Sequence, residues 1–167
     1  MMVLFYILAN SLFWVAVHFA SGYMVHLFPD SLYRPEGLLF RIHPWEKKGS
    51  VYRRYLRIQA WKDRLPEAGE FFSLHPFNKS RLERFDREYL ARFVQETCRA
   101  ELAHLLPFVF YPLCLPWNPW PANLIMFLYA LLANVPFVLI QRYNRARLLG
   151  LPILAPDPGT LKRKFKP

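Results

Sequence analysis

Three long apolar stretches dominate the pattern of hydrophobic and polar positions along the chain. They lie at residues 3–28, 102–115 and 121–141, and none of them contains lysine or arginine. A helix of about 20 apolar residues crosses the hydrocarbon core of a bilayer, and the first and third stretches reach that length. The second stretch is shorter and carries Pro107 and Pro112, which predict a kink or an end to its helix. The pattern predicts an all-α integral membrane protein with about three transmembrane helices.

A short turn joins the second and third apolar stretches. Its sequence is PWNPWP at residues 116–121, so the two stretches are predicted to form a helical hairpin. The tryptophans of this turn suit a membrane–water interface. The helix that leads into the hairpin is predicted to begin at Ser80, because Glu83 three residues later completes a capping box.

Aromatic and basic residues alternate in residues 51–65, VYRRYLRIQAWKDRL. Tyr52, Tyr55 and Leu56 share an approximate helical face, and arginines and lysines occupy the rest. A basic amphipathic helix with aromatic residues is typical of the membrane surface. Aromatic and basic side chains also bind nucleic acid bases, but beside membrane spans we predict no nucleic acid partner.

Positive charge is confined to two regions of the chain. Of the 22 lysines and arginines, 15 lie between Arg34 and Arg99, and 7 lie from Arg142 onward. Because positively charged loops stay in the cytoplasm, we expect residues 30–99 to form a cytoplasmic interfacial region with amphipathic helices. The expected arrangement is one multi-pass domain, residues 1–167, in the cell membrane, with the N-terminus outside and a basic tail, residues 149–167, in the cytoplasm.

The overall composition narrows the partners and the chemistry. A formal net charge of +10 favours a bilayer that contains anionic lipid. Cys98 and Cys114 are the only cysteines and form no CxxC pair, which argues against a disulfide framework or a zinc knuckle. No GxSxG motif or HxxxxD motif occurs, so the sequence shows no evident serine nucleophile.

Polar residues cluster where the third apolar stretch ends. Arg142, Arg145 and Arg147 follow the apolar run directly, and a positive-inside anchor alone accounts for them. It does not account for Asn134. A side-chain amide that faces lipid is energetically costly, so Asn134 is expected to face protein. The segment is either an anchor alone or an anchor with a polar site. The candidate substrate-binding residues are Asn134, Gln141, Arg142, Tyr143, Asn144 and Arg145.

Glu101 and His104 are the candidate catalytic residues. They stand three positions apart, so they share one helix face at the start of the second apolar stretch. Histidine is matched to proton transfer near pH 7, and a carboxylate beside it would stabilise the imidazolium. The structural alternative is that Glu101 pairs with Arg99, Arg142 or Arg145 and holds the hairpin together. A third possibility is a metal site, but such sites use further carboxylates and a second ExxH motif, so we predict no metal.

The segments Glu96–His104 and Asn118–Leu149 resemble a known family, the glycosyl-4,4'-diaponeurosporenoate acyltransferases of staphyloxanthin-type carotenoid synthesis. The resemblance covers most of the chain from about residue 29. Its most specific positions are Arg99–Leu102, His104, Ala133–Pro136 and Gln141–Arg145. Weaker agreement occurs at Trp45-Glu46-Lys47 with Gly49 and at Trp61-Lys62. Leu105 and Ala146 depart from the family pattern.

The resemblance implies transfer of a fatty acyl group to a sugar hydroxyl of a glycosylated carotenoid acid. The expected partners are a glycosylated carotenoid or another glycolipid as acceptor, an acyl donor, and other enzymes of the carotenoid pathway. No cofactor is expected, and an acyl-CoA or acyl-carrier thioester is the candidate co-substrate. The alternatives are a non-catalytic lipid- or carotenoid-binding membrane subunit that assists an enzyme, and a metal-dependent membrane enzyme that uses Glu101 and His104.

Overall fold

The computed structural model of the protein describes residues 2–65 and 82–155, and these contain helices and no β-strand. The prediction of an all-α fold is therefore confirmed. Short 3-10 segments lie between the α-helices. In the described ranges the α-helices are α1, Met2–Leu27; α2, Ser50–Tyr55; α3, Arg87–Phe110; and α4, Trp120–Leu148.

Three of these helices are long and apolar enough to cross a membrane. They are α1, α3 together with the 3-10 segment that follows it, and α4. The predicted number of spans is confirmed, and α1 matches its predicted limits to within one residue at each end. Helix α4 runs seven residues further than the predicted apolar span that ended at Gln141, so Arg142, Arg145 and Arg147 all lie on its last two turns.

Helix α3 begins later than the capping box predicts. Its N-cap is Asp86, whose carboxylate accepts a hydrogen bond of 2.9 Å from the backbone N–H of Tyr89. This hydrogen bond lowers the pKa of Asp86. Glu83 precedes the helix, so the predicted start is wrong, while Ser80 itself lies outside the described residues. Aspartate satisfies the free N–H groups of a first turn as well as serine does, and Asp86 stands directly before the apolar periodicity.

Pro107 does not end α3, whereas the end predicted near Pro112 is confirmed, because the α-helix stops two residues before it. The α-helix continues through Pro107 to Phe110 and then tightens into a 3-10 segment, Tyr111–Trp117. Pro107 is buried, and packing against neighbours offsets the one backbone hydrogen bond that a proline removes. Helix α4 likewise continues through Pro136.

The predicted amphipathic helix over residues 51–65 is also wrong. Only Ser50–Tyr55 is α-helical, and Arg57 has a left-handed backbone with φ +46°. The reversal at Arg57 brings Ile58 onto the same cluster as Tyr52, and both pack against Tyr143 of α4. Burying these side chains against α4 stabilises the folded segment more than a straight helix would, since a straight helix leaves Ile58 away from the protein.

The α3–α4 hairpin and α1 form the bundle. Successive contacts pair Tyr111 with Asn123 and His104 with Asn134, which shows that α3 and α4 are antiparallel. At the turn end of the bundle, formed by residues 111–119, the Asn10 and Asn118 amides exchange two hydrogen bonds of 2.8 Å. These bonds satisfy two buried amides and tie α1 to the hairpin. The candidate site lies toward the opposite end.

Candidate functional site

Four charged side chains form one ion cluster at the end of the bundle opposite the turn. Glu101 of α3 accepts a hydrogen bond of 3.1 Å from Arg142 and a second one from Arg145, both of α4. Arg142 also donates to Glu46, which belongs to the segment between α1 and α2. We call Glu46, Glu101, Arg142 and Arg145 the ion cluster.

The ion cluster is largely buried and its charges balance. Glu46 and Arg145 are 0% exposed, and Glu101 is 2% exposed. Two carboxylates and two guanidinium groups leave no net charge, which is the condition under which buried charges are tolerated. The remaining Arg145 donors reach the backbone oxygen of Phe40 at 3.0 Å and the hydroxyl of Thr97 at 3.5 Å.

This geometry tests one of the two sequence-based interpretations of Glu101, its pairing with an arginine. The predicted pairing with Arg142 or Arg145 across the hairpin is confirmed, whereas Arg99 pairs with Glu96 and Asp30. Both carboxylate oxygens of Glu101 accept hydrogen bonds from guanidinium groups. The contacts favour a structural role for Glu101 and Arg145, and the catalytic and substrate-binding roles predicted for them stay predictions.

Glu46 is the member of the ion cluster that sequence reasoning missed. A signal was present, because Trp45-Glu46-Lys47 with Gly49 agrees with the family pattern. Gly49 has φ +84°, and a Cβ atom there would lie 3.2 Å from the Cγ atom of Arg147. Only glycine adopts this backbone conformation without strain while approaching α4 so closely. The motif thus combines an ion-pair partner with the turn that delivers it to α4.

His104 lies in the second of the three candidate membrane-spanning helices and contacts Asn134. The His104 Nδ1 atom is 3.2 Å from the Asn134 Oδ1 atom, and the Asn134 amide nitrogen donates to the Ala130 backbone oxygen at 2.9 Å. With its nitrogen committed to Ala130, Asn134 presents its oxygen to the ring, so Nδ1 carries the proton. The neutral ring then has its basic lone pair on Nε2, and Phe137 stacks on the ring at 4.5 Å.

The predicted site residues fall into separate groups. Glu101, Arg142 and Arg145 meet in the ion cluster, whereas Asn134 meets His104. Asn134 and Arg145 are eleven residues apart on α4, a rise of about 16 Å. Tyr143 is buried against the α2 segment, and Asn144 is half-buried. Gln141 is buried, and its Oε1 atom has no hydrogen-bond partner among the described residues.

No metal site is visible in the described ranges. Within residues 2–65 and 82–155, no group of three or more histidine, cysteine, aspartate or glutamate side chains lies close enough to hold a metal ion. Both cysteines are buried and unpaired with each other.

The part of the chain that matches known proteins contains the polar residues described above. The family model for glycosyl-4,4'-diaponeurosporenoate acyltransferase matches residues 29–151, a range that contains the ion cluster, His104 and Asn134. A Staphylococcus haemolyticus protein of that name is 33% identical over 144 residues, covering 84% of this chain and 81% of the relative. A Staphylococcus aureus protein of the same name is 27% identical over 144 residues, covering 84% of each. No solved structure gives a significant match.

The match includes the helical hairpin and the segment that carries Glu46, so it covers every residue of the two polar groups described above. It also spans more than half of the chain, and the S. haemolyticus relative aligns over most of its own length. The chain therefore belongs to the glycosyl-4,4'-diaponeurosporenoate acyltransferase family.

Proposed function

We propose that the protein transfers a fatty acyl group to a sugar hydroxyl of a glycosylated carotenoid acid or a similar glycolipid. The observation that carries the proposal is the family match over residues 29–151, because the family name specifies both acyl transfer and a glycosylated acceptor. The donor in this proposal is a thioester, either acyl-CoA or an acyl-carrier protein. An enzyme that acylates a glycosylated carotenoid acts together with the other enzymes of a carotenoid pathway.

His104 is the general base in this proposal. Its Nε2 atom takes the proton of the sugar hydroxyl while the hydroxyl oxygen attacks the thioester carbonyl. The new ester C–O bond forms, the C–S bond breaks, and the departing thiolate receives the proton from His104. The support is the contact with Asn134, which fixes the tautomer that leaves Nε2 basic.

The depth of His104 suits an acceptor with an apolar body. Asn134 is fourteen residues beyond Trp120, where α4 begins, a rise of about 21 Å. A hydrocarbon core is about 30 Å thick, so with the start of α4 at one boundary His104 and Asn134 lie in the third of the core next to the other boundary. A fatty acyl chain and a polyene both occupy that layer, and a sugar reaches it from the aqueous side.

The ion cluster holds α3 and α4 in the register that this chemistry needs. Glu101 precedes His104 by less than one helical turn, so its pairing with Arg142 and Arg145 sets the position of His104 relative to α4. Asn134 is 0% exposed, which favours a role through His104 over direct contact with substrate. Gln141, Arg142, Tyr143 and Asn144 remain candidate substrate-binding residues.

The proposed orientation follows from charge. The end of the bundle that carries the ion cluster faces the cytoplasm, together with the C-terminus, and the N-terminus and the turn end face outward. Exposed Lys47, Lys48, Arg53 and Arg54 then lie beside the cytoplasmic leaflet, where each basic residue contributes about 1 kcal/mol of attraction to anionic lipid.

The test uses purified protein in lipid nanodiscs, a radiolabelled fatty acyl thioester and a glycosylated carotenoid acid. Wild-type protein is expected to form the acylated glycoside, and His104→Gln is expected to lower kcat by about 100-fold or more. His43→Gln, which changes a histidine in the segment before α2, is the matched control and should retain activity. Absence of transfer by the wild type rejects the function, and a wild-type rate in His104→Gln rejects the base.

A further inference from the structure

Phe137 covers one face of the His104 ring. The two ring centroids are 4.5 Å apart, and the ring planes are inclined by only 8°. Carbon atoms in contact are about 3.5–4.0 Å apart, so the longer distance between the centroids means that the rings are stacked with an offset. Offset stacking is one of the two arrangements that aromatic pairs prefer. The contact joins α3 to α4, which are two of the candidate membrane-spanning helices.

Phe137 and Asn134 reach the ring from the same helix. They are three positions apart on α4, so they lie on one face of it. Asn134 contacts the edge of the ring, because its Oδ1 atom lies 3.2 Å from Nδ1, whereas Phe137 contacts a face. Helix α4 therefore restrains the imidazole of His104 in two different directions.

The contact with Asn134 does not by itself fix the plane of the ring. The χ2 torsion of histidine joins an sp³ carbon to an sp² carbon, so its energy minima are broad. A contact at Nδ1 fixes the position of one atom, and the ring can still tilt about that atom. Such a tilt moves Nε2, which lies on the other side of the ring. The stacked phenyl ring opposes it, because a tilt separates the two faces or brings them into collision.

Phenylalanine suits this position because its side chain has no hydrogen-bonding group. The basic lone pair of Nε2 lies in the plane of the imidazole, whereas the stacked phenyl ring covers a face. Phe137 therefore restrains the ring without competing for the proton that Nε2 takes in the proposed reaction. A polar side chain in the same place would offer the ring a partner that the acceptor hydroxyl would have to displace.

We propose that Phe137 is a positioning residue that sets the plane of the His104 ring and thereby directs Nε2 toward the acceptor hydroxyl. The proposal rests on the role of His104 as the base under Proposed function and adds the residue that restrains its orientation. A general base must lie within hydrogen-bond reach of the proton that it removes, and a misplacement of about 1 Å costs about 100-fold in rate. Loss of the stack is therefore expected to slow the chemical step and to leave substrate binding unchanged.

The order of the ring can be measured without any acyl transfer. Protein with carbon-13-labelled histidine is placed in lipid nanodiscs, and the spectrum of His104→Gln identifies the His104 signal. The order parameter of the ring Cε1–H bond is expected to be about 0.85 in the wild type and to fall below about 0.6 in Phe137→Leu. Phe137→Tyr keeps an aromatic ring on the imidazole and is expected to keep the wild-type value.

Phe127→Leu is the matched control. Phe127 lies on the same helix, is 40% exposed and pairs with Tyr111, so its replacement removes an aromatic contact between α3 and α4 away from His104. The order parameter of the His104 ring should stay at the wild-type value in this variant. Phe137→Met is the second variant and tests the same loss with an unbranched side chain if thermal unfolding shows that Phe137→Leu is not folded.

Kinetics provide the second arm of the test. Phe137→Leu is expected to lower kcat at least about tenfold, while KM for the acceptor and KM for the donor change by less than about twofold. Phe137→Tyr and Phe127→Leu should keep the wild-type kcat. An ordered His104 ring in Phe137→Leu, or a mobile ring with an unchanged kcat, would overturn the inference. If the wild type transfers no acyl group, the proposed function fails, but the order parameters still decide whether Phe137 holds the ring.

Discussion

Arg145 donates a hydrogen bond to Glu101 across the α3–α4 hairpin at a point where neither side chain meets solvent. The exposed fractions are 0% and 2%. A buried charge of either sign is tolerated only with its partner in place. This pair therefore makes the packing of the two helices sensitive to the loss of either charge, and the first prediction follows from it.

Replacing Glu101 by glutamine should destabilise the fold. The change leaves Arg145 buried without a counter-charge, which costs about 3–5 kcal/mol of unfolding free energy. Unfolding in mixed micelles by a denaturing detergent measures the loss. Asp63→Asn is the matched control, because Asp63 is exposed, and it should change stability by less than about 0.5 kcal/mol. Similar losses in both variants would contradict the importance of the buried pair.

Glu46 and Arg142 should be energetically coupled. A double-mutant cycle with Glu46→Gln and Arg142→Gln is expected to give a coupling free energy of about 1–3 kcal/mol, since the residues are in direct contact and largely buried. The cycle on the exposed pair Lys62 and Asp63 should give less than about 1 kcal/mol. Additive effects of the two substitutions at Glu46 and Arg142 would show that their contact does not stabilise the protein.

Asn134 should affect the chemical step without affecting acceptor binding. Asn134→Ala removes the oxygen that holds the His104 ring, so we expect kcat to fall by up to about 100-fold from misplacement of the base. KM for the acceptor should change less than twofold. Asn123→Ala, which alters a buried amide at the turn end, controls for loss of packing, and equal kcat values in the two variants would count against the positioning role.

Alkaline pH should weaken the contact between the α2 segment and α4. Burial raises the pKa of Tyr52, and its hydrogen bond with Arg142 opposes this only in part. A raised folded-state pKa means that the contribution of Tyr52 to stability is complete below about pH 10, the ordinary tyrosine value, and is lost as the pH rises further. Thermal unfolding from pH 8 to 11 should show a smaller alkaline loss in Tyr52→Phe than in the wild type. Tyr55→Phe should lose as much thermal stability at alkaline pH as the wild type does. Identical stability profiles in all three proteins would exclude Tyr52 as a source of the alkaline loss.

Membrane orientation can be checked by labelling single cysteines in intact cells. A cysteine at Trp120 should react with an impermeant maleimide added outside, and one at Leu149 should react only after the cells are opened. The reason is the confinement of lysine and arginine to regions that α1, α3 and α4 place on one side. Reaction of both positions from the same side would reject the three-span arrangement.

Local patterns were sufficient to predict the number of spans, the hairpin and the family. Hydropathy is a property of consecutive residues, so the limits of α1 follow from it almost to the residue. The structural pairing of Glu101 with Arg142 or Arg145 was also predictable, because a short turn forces antiparallel helices and the charges lie at similar distances from it. The late start of α3 was missed because serine and aspartate are both good N-cap residues, and the sequence pattern offers both Ser80 and Asp86.

The amino-acid sequence by itself determined which three helices are apolar enough to span a membrane, where lysine and arginine are confined, and that α3 and α4 are neighbours. Only the tertiary structure decided the partners of the polar side chains. Glu46 reaches Arg142 across 96 positions of chain, and Asn134 orients His104 because α3 and α4 meet in one register. Such contacts depend on which helix faces meet and on how the segment between α1 and α2 folds back. These are long-range properties, and neither periodicity nor composition encodes them locally.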